Sequence, residues 1–102
     1  MLVRIVKLTF QEDKIESFLS FFDTFCTQIS SFENCYGMRL LQDKKDKNII
    51  FTYSNWKDEA ALNVYRDSEL FQTVWKTIKP WFSTKAEAWS VDTYFEGGQF
   101  TK

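Results

Sequence analysis

The sequence predicts an α+β fold of ferredoxin-like βαββαβ order. Four antiparallel strands carry both helical segments on one face, and a second copy covers the other face to give a dimeric α+β barrel. Three observations predict it. Residues 2–10, 35–42, 48–54 and 86–94 are short runs rich in β-branched and aromatic residues. Helical periodicity fills 12–31 and the region from Asn55 to about Lys79, so the order reads strand, helix, two strands, helix, strand. The strands also carry apolar residues on both faces, which argues against a sheet left to water on one side.

In the first strand, Val6, Leu8 and Phe10 share one face, and Val3, Ile5, Lys7 and Thr9 the other. In the first helix, Ile15, Phe18, Leu19, Phe22, Phe25, Cys26 and Ile29 make a wide apolar stripe. Glu12 and Asp13 suit the positive end of its dipole, and Asn34 and Gly37 bracket its exit. The polar stretch Asp43-Lys44-Lys45-Asp46-Lys47 joins the second and third strands as a hairpin. Gly37 inside a strand suggests a bulge or a close backbone approach.

Asn55 is expected to cap the next helix, with Asp58 three residues on, and Trp56 to stand at its start. That helix runs to about Tyr65 and breaks at Arg66-Asp67-Ser68. Ser68 caps a second one bearing Leu70, Phe71, Val74, Trp75, Ile78 and Phe82, and Pro80 ends it near Lys79. The final strand then leads into the tail FEGGQFTK, which either frays or crosses to a partner. Val3, Ile5, Met38 and Leu40 are candidates to line the helix-free face against the second copy. A two-fold axis is the commonest way to close such a contact.

A chain of 102 residues is expected to be a single domain, with a core over about 2–94 and a tail over 95–102. Aromatic residues reach 19 %, with all four tryptophans between Asn55 and Tyr94, so the core is expected to double as a pocket wall. Net charge is −1, with 13 basic and 14 acidic residues interspersed, which disfavours a nucleic-acid partner. No window approaches the ~18 apolar residues of a membrane span, and Met1 to Lys7 has neither a long apolar region nor a small-residue cleavage site. The expectation is a cytoplasmic protein with no membrane partner.

Much chemistry is absent. There is no histidine, hence no common general base and no histidine ligand for haem or zinc. Cys26 and Cys35 form no CxxC pair, and Cys26 on the apolar stripe is expected to be a buried thiol. A phosphate loop, a GxSxG elbow and a carboxylate cluster with metal spacing are all missing. Catalysis would use tyrosine, tryptophan, asparagine, arginine, backbone groups or the substrate's own reactivity.

The opening VRIVKLTF, the strand end SNW running into KDEAALNVYRDSELF, the helical TVWKTIKPWF and the final EAWSV together resemble the antibiotic biosynthesis monooxygenase family of the dimeric α+β barrel superfamily. The resemblance spans roughly residues 2–94. It implies either a cofactor-free oxygenase of quinols or polyketide phenols, a haem-degrading enzyme, or a member without activity. Haem-degrading relatives use a first-strand asparagine, a helical tryptophan and an iron-binding histidine ten residues later. The matching positions are Val6, Tyr65 and Trp75, so the resemblance itself argues against haem. What it implies is cofactor-independent oxygenation of a small aromatic substrate by a homodimer, with no metal, haem or flavin.

Six residues are candidates for the pocket. Trp56 either anchors helix to sheet through its indole N–H or lines the site. Tyr65 and Trp75, on helical stripes, serve as core or as pocket wall. Tyr53 and Asn55 could hydrogen-bond a quinone or phenol oxygen, and Arg4 could stabilise an enolate or superoxide by charge. A catalytically silent ligand-binding dimer and a pure assembly module are the competing readings.

Overall fold

The structure, a computed structural model, describes residues 1–98. Its strands are β1 (Leu2–Phe10), β2 (Cys35–Gln42), β3 (Ile49–Trp56) and β4 (Phe82–Val91), in the sheet order β2-β3-β1-β4, and every pairing is antiparallel. Helix α1 (Ile15–Ser30) connects β1 to β2, and α2 (Glu59–Arg66) and α3 (Glu69–Ile78) connect β3 to β4. Short 3-10 turns, Glu12–Lys14 and Lys79–Trp81, precede α1 and follow α3. Proline at residue 80 sits in the second turn, where its missing N–H ends the α-helical ladder. The split βαββαβ order is therefore as the sequence predicts.

Alternation decides which side chains meet the helices. Leu8 and Phe10 of β1 and Ile50 and Trp56 of β3 are buried under them with Phe18, Phe25 and Ile29 of α1. Rings interlock there: Phe10 stacks on Phe18 at 4.4 Å between centroids and meets Phe82 edge-on at 5.3 Å. The opposite face carries Ile5, with Tyr53 and Trp89 directly across from it in the neighbouring strands, and Lys7, with Phe51 and Glu87 across from it. Leu41, Trp89 and Val91 on that face are 46 %, 44 % and 40 % exposed.

Four expectations are corrected. Met38 and Leu40 stand across from Ser54 and Thr52 and pack into the core under the helices, not on the open face. The cause is a bulge: the β2–β3 register shifts between Cys35 and Gly37, inserting one residue. Gly37 has φ 144°, a backbone state that favours glycine. Asn55 does not cap α2, because β3 continues through Trp56, which is thus a strand residue. The cap is Asp58, whose Oδ1 accepts from the Ala61 N–H at 2.8 Å. β4 starts at Phe82 and stops at Val91, because Phe82 and Thr84 already pair with Phe10 and Thr9. Cys26 is only partly buried, its thiol 3.9 Å from the Asp23 carbonyl oxygen.

Ser68 caps α3 as expected, accepting from the Phe71 N–H at 3.1 Å. In the β2–β3 hairpin Asp43 accepts from the Lys45 and Asp46 N–H groups at 3.0 and 2.8 Å. Of the tail, Tyr94 and Phe95 are fully or largely exposed, and residues 99–102 lie outside the described part. With the true cap identified, Asp58→Ala should cost about 1 kcal/mol of stability. Asn55→Ala should leave α2 intact. Urea midpoints measured at equal protein concentration check both.

Candidate active site

Between the sheet and the helices lies a cavity of about 350 Å³. That volume falls within the roughly 300–1,000 Å³ common for small-molecule sites. The sheet supplies its floor through Arg4, Val6 and Leu8 of β1, Met38 of β2, Thr52, Ser54 and Trp56 of β3, and Ala86 and Ala88 of β4. One wall is the stripe Phe18, Phe22, Phe25 and Ile29 of α1. The other is Leu62, Tyr65 and Arg66 of α2 with Phe71, Val74, Trp75 and Ile78 of α3. The two alanines of β4 leave room where larger side chains would fill the space.

The aromatic wall is a connected set. Tyr65 stacks on Trp56 at 4.8 Å and meets Phe71 edge-on at 5.3 Å. Phe71 lies parallel to Trp75 at 5.8 Å. The break between α2 and α3 is what lets Tyr65 and Trp75, on different helices, face one space. Trp56 is 1 % exposed, and its indole N–H donates to Ser54 Oγ at 2.9 Å. Burial first, and Cys35 second, push the Tyr65 phenol well above its usual pKa. The phenol therefore keeps its proton at neutral pH.

Arg4 brings the charge. Its Nη1 donates to Ser90 Oγ at 2.9 Å across the β1–β4 pair. Burial, and then the charge of Arg66, lower its guanidinium below the usual value, yet an arginine stays cationic at neutral pH. Among the described residues no aspartate or glutamate lines the cavity, and no group of three or more His, Cys, Asp or Glu side chains gathers to hold a metal ion.

Of the six residues singled out from the sequence, Arg4, Trp56, Tyr65 and Trp75 line this cavity. Tyr53 and Asn55 do not. They alternate with Thr52, Ser54 and Trp56 along β3 and so belong to the open face of the sheet. Sequence reasoning missed Ser54, Met38 and Arg66. Ser54 could have been found from its place two residues before Trp56, on the same strand face. Arg66 was counted only as part of a helix break, although it directly follows Tyr65.

A sequence profile of the family described as "Antibiotic biosynthesis monooxygenase" matches residues 1–77. The chain belongs to the antibiotic biosynthesis monooxygenase family. The match runs through β1, α1, the hairpin, α2 and nearly all of α3, and so includes both helical walls of the cavity. Solved structures agree on the fold. One, named as an antibiotic biosynthesis monooxygenase, superposes with a TM-score of 0.86 at 20 % identity, covering 91 % of this chain and 98 % of its own. A conserved protein from Methanosarcina mazei Go1 gives 0.82 at 18 % identity, covering 89 % and 91 %. Rv0793 from Mycobacterium tuberculosis gives 0.85 at 11 % identity, covering 95 % and 98 %. At such identities the likeness speaks for the fold alone. A search of curated proteins finds no match. Val6, Tyr65 and Trp75 all line the cavity of this family member.

Proposed function

We propose that this family member is a cofactor-independent monooxygenase, acting with O₂ on a small quinol-like or polyphenolic aromatic substrate. The observation that carries the reading is a ring-walled cavity whose charged lining, among the described residues, is guanidinium alone. A flat aromatic molecule fits between the Trp56–Tyr65 stack and the α1 phenylalanines. Arg4 favours the phenolate or enolate form of the substrate, because its charge is least screened in an apolar setting. The Tyr65 hydroxyl donates to a substrate oxygen.

Among the described residues the lining offers no carboxylate or imidazole base, so the substrate must be acidic enough to ionise beside Arg4, its proton passing to water. The electron-rich anion then reduces O₂ directly. For a ring CH₂ oxidised to a carbonyl, the carbon loses two hydrogens and gains one oxygen atom. The second oxygen leaves as water with those hydrogens, and the substrate supplies all the electrons. No metal, haem or flavin is needed in this scheme.

The working unit would be a cytoplasmic homodimer whose subunits appose their helix-free sheet faces. Ile5, Leu41, Trp89 and Val91 supply the apolar contact. Oxygen uptake by chelator-treated protein with 1,8-dihydroxyanthrone tests the activity. Consumption should exceed autoxidation in buffer, and Arg4→Gln should lower kcat/KM by about 10²-fold, the usual loss for one oxyanion donor. Uptake no faster than in buffer, with saturable binding of the same compound, would favour the silent ligand-binding dimer.

A further inference from the structure

We infer that the cavity selects an aromatic molecule bearing a permanent carboxylate, gripped at the cavity mouth between Arg4 of β1 and Arg66 of α2. The inference rests on the cavity being an aromatic-ligand site, and it narrows the preferred ligands to quinol-like or polyphenolic rings that also carry a carboxylate, those without one binding more weakly. Two guanidinium groups line one otherwise uncharged, mostly apolar space, and they come from different elements. They are close enough that the charge of Arg66 acts on Arg4, and the two repel. Proteins normally relieve such a clash with an acid. Here no carboxylate among the described residues pairs with either one: Arg4 is held by the neutral Ser90 hydroxyl, and the one side-chain bond at Arg66, from Gln72 Nε2, reaches its backbone carbonyl.

The arrangement therefore binds an anion for two reasons: each guanidinium presents several N–H donors, and an anion between them removes their mutual repulsion. A planar carboxylate matches the planar fork of a guanidinium better than a round anion does. Position sets the orientation. Arg66 is exposed at the last turn of α2, where the helix carbonyls favour a cation, and Arg4 is half-buried beside it. The ring system then enters first and lies against Tyr65, Trp56 and Phe71, and the acid group stays at the rim. Selectivity would follow from losing the charge-assisted hydrogen bonds of the two guanidinium groups when the group facing them is uncharged.

Calorimetric titration of the intact protein with 2-naphthoate and its neutral analogue 2-naphthamide tests this. The acid should bind at least about tenfold more tightly, as befits a charged hydrogen bond. The preference should shrink as salt is raised, because Arg66 is exposed. Arg66→Gln, an exposed change that leaves the core alone, should remove most of the preference by weakening acid binding far more than amide binding. Equal affinity for the two probes, or a preference untouched by Arg66→Gln, overturns the carboxylate grip and leaves the aromatic cavity standing. Failure of both probes to bind overturns the cavity reading and this one with it.

Discussion

Trp56→Ala is expected to cost about 3–5 kcal/mol, the usual range for emptying a fully buried tryptophan site. A domain of this size is stable by only about 5–15 kcal/mol, so the variant should sit near its unfolding threshold. The indole is 1 % exposed, stacks on Tyr65 at 4.8 Å, meets Phe32 edge-on at 6.3 Å and satisfies Ser54. Removing it takes the support from α2 and leaves the Ser54 hydroxyl without its donor in a buried setting. Trp56→Phe keeps most of the stack and should cost clearly less. Urea unfolding at one fixed protein concentration reads both, since a dimer's apparent stability depends on concentration. A loss below about 1 kcal/mol for the alanine variant would show that the ring only lines the cavity and does not hold β3 to α2.

The second large effect concerns assembly. Sedimentation of the wild type at micromolar concentration should give twice the 12.2 kDa chain mass. Ile5→Glu should yield the single subunit. Ile5 lies across from both Tyr53 and Trp89, in the middle of the helix-free face. A two-fold contact would bury two new carboxylates, one from each subunit, in the apolar contact around Tyr53 and Trp89. Unpaired buried charge costs about 3–5 kcal/mol, so the dissociation constant should rise by about 10²-fold or more. Circular dichroism unchanged from the wild type would show that the single subunit keeps its fold. A wild-type protein that sediments as one chain would sink the apposed-sheet dimer, with the interior cavity left as it is.

Much of the architecture was legible because its signals are local. The alternation in Leu2–Phe10, the stripe from Ile15 to Ile29, the serine at 68 and the proline at 80 each act within a few residues of themselves. Asn55 and Asp58 show the limit. Both are good caps, and the choice fell to Asp58 because β3 pairs with β1 as far as Trp56, a long-range fact no local window contains. Met38 and Leu40 show another: one inserted residue near Gly37 reversed their side of the sheet. The cavity was half-legible. Trp56, Tyr65 and Trp75 came from ring content and family resemblance, and Arg4 from its charge on the first strand; all four line the cavity. Tyr53 failed for want of a strand phase. Arg66 was passed over because an arginine ending a helix is commonplace until a second one is seen across the gap.

The kink at Gly37 has a consequence beyond the phase of β2. This strand is an outer one, with a row of amides and carbonyls turned away from its neighbour, the kind of border on which sheets extend indefinitely. An inserted residue spoils the even spacing that an incoming strand would have to match, and the lysines crowding the adjacent hairpin add repulsion between like borders. Lateral growth into fibres is thereby discouraged, while stacking through the broad surface stays open.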